Sequence, residues 1–350
     1  MIATVSTVKD TLANVQRFVG GCLAGGVDHL IVFLDAPAPE VEAWLSDHPH
    51  VSHVVADEAW WGTGRSDDLN TRQRFHANIA RSLLTRLSSI EWLFHVDADE
   101  IVQLDPAVLA GLGADVTRVR LRPLEAVSQK HWAEDPVWFK RLLKPEELHL
   151  LEILGVLDKA SNNVHFHGHV EGKVGMRPSL GEWLTLHRVV DADREPLDTY
   201  EHDALTLLHY ESYSGEDFVR KWSTMLAPGT IPSLRKVRQN IAEAVAAVLG
   251  KDLPTEVRER YLMRVFERTT EDDFETLRDL DLLVRVDPRE GAHRPATLPG
   301  PEKARLESML QALSGRDKRA FRVCGPADEV NDVLDSLDGE RPRRFSFRRS

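Results

Sequence analysis

Apolar residues in the first hundred positions alternate between a strand-like and a helix-like period. "MIATVSTVKD" opens with a β-branched run that predicts a buried strand. "TLANVQRFVGGCLAGG" puts Leu12, Val15, Phe18, Val19 and Leu23 at helical spacing and stops at Gly25-Gly26. "VDHLIVFLDAP" predicts a second buried strand, "PEVEAWLSDHP" a helix and "VSHVVAD" a third strand. After a polar loop carrying Trp60 and Trp61, "DLNTRQRFHANIARSLLTRL" predicts a long helix and "IEWLFHVDAD" a fourth strand. The order β-α-β-α-β-α-β implies a parallel, doubly wound α/β sheet, with ligands at the carboxyl ends of its strands. Asp35, Asp97 and Asp99 stand at such ends.

The middle is less regular. "VTRVRLRPL" predicts a strand, "KPEELHLLEILGVLDKA" a helix, and "NVHFHGHVEGKVGMRP" a strand and turn. "EWLTLHRVVD" and "ALTLLHYESY" predict further strands. From Ser214 the pattern is mainly helical, through "GEDFVRKWSTML" to "EDDFETLRDLDLLVRV". "DPREGAHRPATLPGPEK" reads as a linker, "ARLESMLQALSG" as a helix, and "RPRRFSFRRS" as a basic, aromatic tail.

Composition narrows the function. Among 350 residues, 42% are hydrophobic, enough for a sizeable core. With 56 acidic against 44 basic residues the net charge is -12, which argues against a general nucleic-acid binder. A local basic pocket for a phosphorylated ligand stays compatible with that balance. Cys22 and Cys324 form neither a disulfide framework nor a zinc-finger spacing, so a reducing compartment is expected. No signal peptide is apparent, and no apolar run approaches the roughly 20 residues that span a bilayer. A cytoplasmic protein is expected, with at most peripheral membrane contact through the basic tail.

In "EWLFHVDADEIVQL" an apolar strand runs straight into Asp97, Asp99 and Glu100. Carboxylates at the end of a buried segment are costly unless something pairs with them. Two of them, two residues apart on a strand-to-loop bend, converge on one point. A divalent metal would neutralise them, and Mg²⁺ or Mn²⁺ fills its remaining positions with substrate phosphates and water. The competing reading is a helix cap or a solvated loop.

"HVDADEIV" after "EWLF" resembles the D-x-D strand end of GT-A glycosyltransferases, especially the family-2-like group with D-x-D-E-[FI]. "TVKD", "GVDHLIVFLDAP", "RQRFHANIA", "EGKVGMRP" with His187, and "LLHYESYSGEDFVRKW" resemble that group's other blocks in the same order. Asp10-Thr11 replaces the group's Asn-Glu, and "APAPE" its Asn/Ser-rich turn. The resemblance implies a GT-A-like, Rossmann-like domain over residues 1–225, a helical extension over 226–290, and a linker, helix and basic tail over 291–350. It implies metal-dependent transfer, with inversion, from a nucleotide-sugar donor, a UDP-sugar foremost, to a hydroxyl of a glycan or small-molecule acceptor.

Roles follow from that resemblance. Asp99 is the expected direct metal ligand, Asp97 binds the donor or metal-bound water, and Glu100 orients the site. His187 and His209 are alternative completing metal ligands. Lys173 and Arg177 are expected cations for diphosphate or a sugar acid. Lys9, Asp35, Gln73 and Arg74 are expected nucleotide contacts, and Trp60 and Trp61 stacking candidates for a base or sugar. For the general base, Glu125, Glu134, Asp135 and Glu171 remain alternatives. His165, His167 and His169 alternate, so one strand face could present three imidazoles to zinc; with no fourth ligand marked, an ordinary exposed strand face is favoured. Two other functions fit the same residues. One is a nucleotidyltransferase, disfavoured by the absence of a Gly-rich basic loop after the first strand. The other is a non-catalytic nucleotide-sugar or glycan-binding protein. The helical tail leaves oligomerisation open.

Overall fold

A computed structural model describes residues 1–226 and 236–337; the basic tail at 341–350 lies outside the described residues. The chain is a mixed α/β protein with two compact units. The first comprises Met1–Arg122, Glu171–Leu207 and the chain from Pro288; the second comprises Pro123–Val170 and Leu208–Asp287.

The first unit is built on the expected parallel sheet. Strands β1 (Ile2–Val8), β2 (His29–Leu34), β3 (Val51–Val55) and β4 (Trp92–His95) run in the order β3-β2-β1-β4. Every residue of β1, β2 and β4 is buried, the signature of a sheet covered on both faces. Registers Ala3↔His29 and Ile2↔Trp92 bring the carboxyl ends of the strands to one edge. Helix α1 (Leu12–Ala24) starts at Thr11, whose hydroxyl accepts from the Asn14 amide, and ends at Gly25. A Cβ at Gly25 would lie 2.0 Å from the Val102 carbonyl oxygen, so the close approach of this turn to the strand Glu100–Leu104 requires glycine.

Two antiparallel strands extend the sheet beyond β4. Lys173–Met176 pairs with β4 through His95↔Val174, and on its other side with Arg118–Ala126 through Leu121↔Lys173. The linker and the helices Gly300–Ala312 and Ala327–Leu337 belong to this unit. Leu306, Leu310, Phe321 and Leu334 join one core with Val54, Trp60 and Trp61. Asp28 fixes the linker, accepting from the Ala296 amide at 2.8 Å and pairing with His293 at 3.1 Å.

In the second unit the end of Arg118–Ala126 pairs with Trp138–Lys140, which pairs in turn with Leu283–Arg285. Phe218, Trp222, Leu262 and Phe266 form the core of its helices.

Several local expectations are corrected. Trp60 and Trp61 lie in a short helix, Glu58–Trp61, and each is only 2% exposed; they are core rather than loop residues open for stacking on a base or sugar. His165 ends a helix, Asn162–His165, so the three alternating imidazoles do not share a strand face. The helix expected over "EDDFETLRDLDLLVRV" stops at Asp279, because Asp281 takes a left-handed φ of 56° and the chain turns into Leu283–Arg285.

Candidate functional site

The Asp97 turn lies where β4 leaves the sheet. Val96 ends the buried run, and Ala98-Asp99 form the turn. The Asp97 amide donates to Glu100 Oε2 at 2.7 Å, and the Glu100 amide donates back to the Asp97 carbonyl at 3.1 Å. This reciprocal pair explains the acid at position 100. Its carboxylate, 0% exposed, closes the turn from inside.

Two side chains hold the Asp97 carboxylate. Gln73 Nε2, from the helix Leu69–Leu84, donates to Oδ1 at 2.5 Å. Lys173 Nζ donates to Oδ2 at 2.7 Å and lies 3.5 Å from Glu100 Oε2. Lys173 arrives there because Val174 pairs with His95, which sets position 173 beside the strand end. Burial pushes the Asp97 carboxyl up, but the Lys173 ammonium outweighs it and holds the group below the usual carboxylate range. Burial likewise disfavours the Lys173 ammonium, yet Asp97 and Glu100 hold its pKa above the ordinary lysine value. Beside them, burial keeps His95 neutral, with its pKa down to about 4.

The turn carries the carboxyl groups of Asp97, Asp99 and Glu100, and Lys173 faces two of them, Asp97 and Glu100. The donors are carboxylate oxygens, the hard ligands that Mg²⁺ and Mn²⁺ prefer, so the residues fit such an ion. Asp97 already accepts from Gln73 and Lys173, while Asp99 is half-buried on the turn itself.

The other candidates are distributed around this turn and beyond it. His187 Nδ1–H donates to the Gly172 carbonyl at 2.9 Å, next in the chain to Lys173. Lys9 follows β1 and is exposed. Asp35, at the end of β2, is buried under Arg72 and Arg65. Arg74 points away along its helix, bonding the Asn70 carbonyl at 3.0 Å. Arg177 sits at the far end of the strand from Lys173, stacked 4.5 Å over the Trp92 ring. Glu171 is exposed and pairs with Arg188 at 3.1 Å.

Glu125, Glu134, Asp135 and His209 belong to the second unit. Glu134 and Asp135 are exposed. Glu125 is 0% exposed and accepts from the His167 and Gly168 amides at 2.7 and 2.6 Å, with Lys140 Nζ 3.1 Å away. Against the burial that raises it, Lys140 holds this carboxyl below its ordinary value. His209 stacks on His169 with centroids 4.9 Å apart, and its Nε2 lies 3.8 Å from Glu211.

Arg72 and Arg65 escaped the sequence reading. The helical period could have found Arg72. Residues 72, 73, 76, 77 and 80 share the buried side of the helix, which turns Arg74 outward.

No family model matches the chain, and no curated protein matches it. Among solved structures, the crystal structure of S. aureus TarS 1-349 is similar at 11% identity and a TM-score of 0.28, covering 98% of this chain and 93% of that one. The crystal structure of S. aureus TarS is similar at 10% identity and a TM-score of 0.29, covering 97% of this chain and 53% of that one. At these TM-scores neither likeness bears on the fold or the chemistry.

Proposed function

We propose that the chain is a metal-dependent glycosyltransferase of GT-A-like fold, transferring a sugar with inversion from a nucleotide-sugar donor to an acceptor hydroxyl. The observation that carries this reading is the acidic turn at the carboxyl edge of a parallel sheet, where Asp97, Asp99 and Glu100 follow one another and Lys173 faces two of them. Ligands of open α/β sheets bind at that edge. A UDP-sugar is the proposed donor, a glycan or small molecule the acceptor, and the cytoplasm the setting. Among the described residues no helix is long and apolar enough to cross a membrane.

Asp99 would hold Mg²⁺ or Mn²⁺ directly and Asp97 through water, with His187 as the further ligand. The ion would neutralise charge on the departing diphosphate. Gln73 and Glu100 keep the turn in one conformation, so the acidic groups need no rearrangement as the donor arrives. Proton abstraction from the acceptor falls to the exposed carboxylate of Glu171, which belongs to the same unit as the Asp97 turn.

The test is nucleoside-diphosphate release from a panel of UDP-, GDP-, CDP- and dTDP-sugars with Mn²⁺, with and without acceptor glycans. Release by the wild type and its loss in a folded Asp99→Ala variant is the expected result. Donor binding without release would leave a binding protein, and unchanged turnover in Asp99→Ala would overturn the site.

A further inference from the structure

Lys173 was expected to meet a diphosphate, but its surroundings leave it another task. Its side chain is 1% exposed, and Nζ is engaged by Asp97 at 2.7 Å and lies 3.5 Å from Glu100. Reaching a phosphate would mean withdrawing the ammonium from two acids that are themselves held in place. Glu100 is 0% exposed, and drawing a positive charge away from a buried acid is unfavourable. The lysine is held from its backbone as well, with Leu121 its register partner on one side and Val174 paired to His95 on the other.

We propose that Lys173 is a positioning residue that acts as a built-in counter-ion of the Asp97 turn, reserving Asp99 for the cation and keeping Asp97 from becoming a second direct ligand. This inference rests on the cation-dependent reading above. The lysine takes one lone pair of Asp97 Oδ2, and Gln73 takes one on Oδ1. It also brings one positive charge against two of the turn's acids. A cation held by a single protein carboxylate keeps more of its coordination positions for diphosphate oxygens and water. Without the lysine the turn would hold the ion more tightly and leave it fewer positions for a donor.

The sign of the effect separates this role from simple scaffolding. A fixed positive charge beside the acids repels a divalent cation by several times the thermal energy, even at an effective dielectric constant of about 20. A merely structural lysine would weaken cation binding when removed; a counter-ion strengthens it. The experiment titrates Mn²⁺ alone into the full chain at pH 8, following free Mn²⁺ by its paramagnetic resonance signal. Lys173→Met is expected to bind Mn²⁺ at least tenfold more tightly than wild type, and Lys173→Arg within about threefold of it. In the same Lys173→Met variant UDP is expected to add less to Mn²⁺ affinity than it does in wild type. Should Lys173→Met not fold, Lys173→Gln keeps a donor for Asp97 without the charge and is held to the same tenfold gain. Wild-type binding with equal or weaker binding in the folded uncharged variant overturns this inference alone. Absence of Mn²⁺ binding in wild type and variant alike removes the cation reading and this inference with it.

Discussion

Arg72 grips Asp35 with two parallel hydrogen bonds, Nε to Oδ1 at 2.7 Å and Nη2 to Oδ2 at 2.6 Å. Both side chains are under a tenth exposed, and Arg72 Nη1 also donates to the carbonyls of Ser66 and Asp67. The pair therefore joins the end of β2 to the loop before the long helix. Asp35→Ala would leave a buried guanidinium without its partner, a loss of about 3–5 kcal/mol. Urea unfolding should register that loss, and the double change Asp35→Leu/Arg72→Met should recover much of it. A single-variant loss below about 1 kcal/mol would show that the pair is solvated and structurally idle.

In the second unit, Lys140 Nζ donates to the His165 carbonyl at 2.8 Å and to Asp272 Oδ1 at 3.0 Å, with Glu125 at 3.1 Å. Burial raises the Asp272 and Glu125 carboxyls, but Lys140 prevails and holds both below their unfolded values of 3.8 and 4.5. Groups depressed in this way stabilise the fold above the unfolded pKa, and that contribution fades as pH falls through the folded one. Stability should thus decline below pH about 4.5 in wild type, and Lys140→Met should be less stable at pH 7 with a flatter acid limb. Chemical denaturation at a series of pH values measures both; an acid limb as steep in the variant as in wild type would contradict the assignment.

His29 reports on the docking of the helix Gly300–Ala312. The ring is 0% exposed, Nε2 lies 3.0 Å from Ser52 Oγ, and that hydroxyl donates to Glu307 at 3.3 Å. Burial, with Lys303 and the neighbouring His50 and His48 adding to it, lowers the pKa from 6.5 to about 3. The folded protein keeps this ring neutral while the unfolded chain takes up a proton below pH 6.5. Stability should fall from there toward pH 3, by up to about 1.4 kcal/mol per pH unit for this one group. His29→Asn should lower stability at pH 8 and remove one proton's worth of that slope. A slope unchanged by the substitution would mean that the ring is protonated within the fold.

The C-terminal helices complete the first core rather than trail from it. Lys318 Nζ donates to the carbonyls of Trp60, Leu313 and Arg316 at 2.6, 2.9 and 3.0 Å and lies 4.0 Å from the Trp60 ring centre. Ending the chain at Pro299 should uncover Trp60, Trp61 and Val54, seen as a red-shifted tryptophan emission and new binding of a hydrophobic dye. Native-like emission in the truncated chain would show that the core closes without those helices.

Hydrophobic period carried the first hundred residues well. Fully buried parallel strands read as continuous apolar runs, and capped amphipathic helices have their own spacing, so the β-α order and the strand-end acids are legible in the amino-acid sequence. Short elements were not. Glu58–Trp61, Asn162–His165 and Leu283–Arg285 are too brief to show a period, and their partners are distant in sequence. Which acids stand at the end of β4 is written in the chain order. What faces them depends on strand pairing across the sheet. Lys173 is 76 positions from Asp97, and it meets that carboxylate because an antiparallel strand enters beside β4 in one register. A shift of one residue would turn its side chain to the other face of the sheet. The same long-range pairing distinguishes Lys173, enclosed with two acids, from Arg177 four residues on, which lies over Trp92 at the opposite end of the strand.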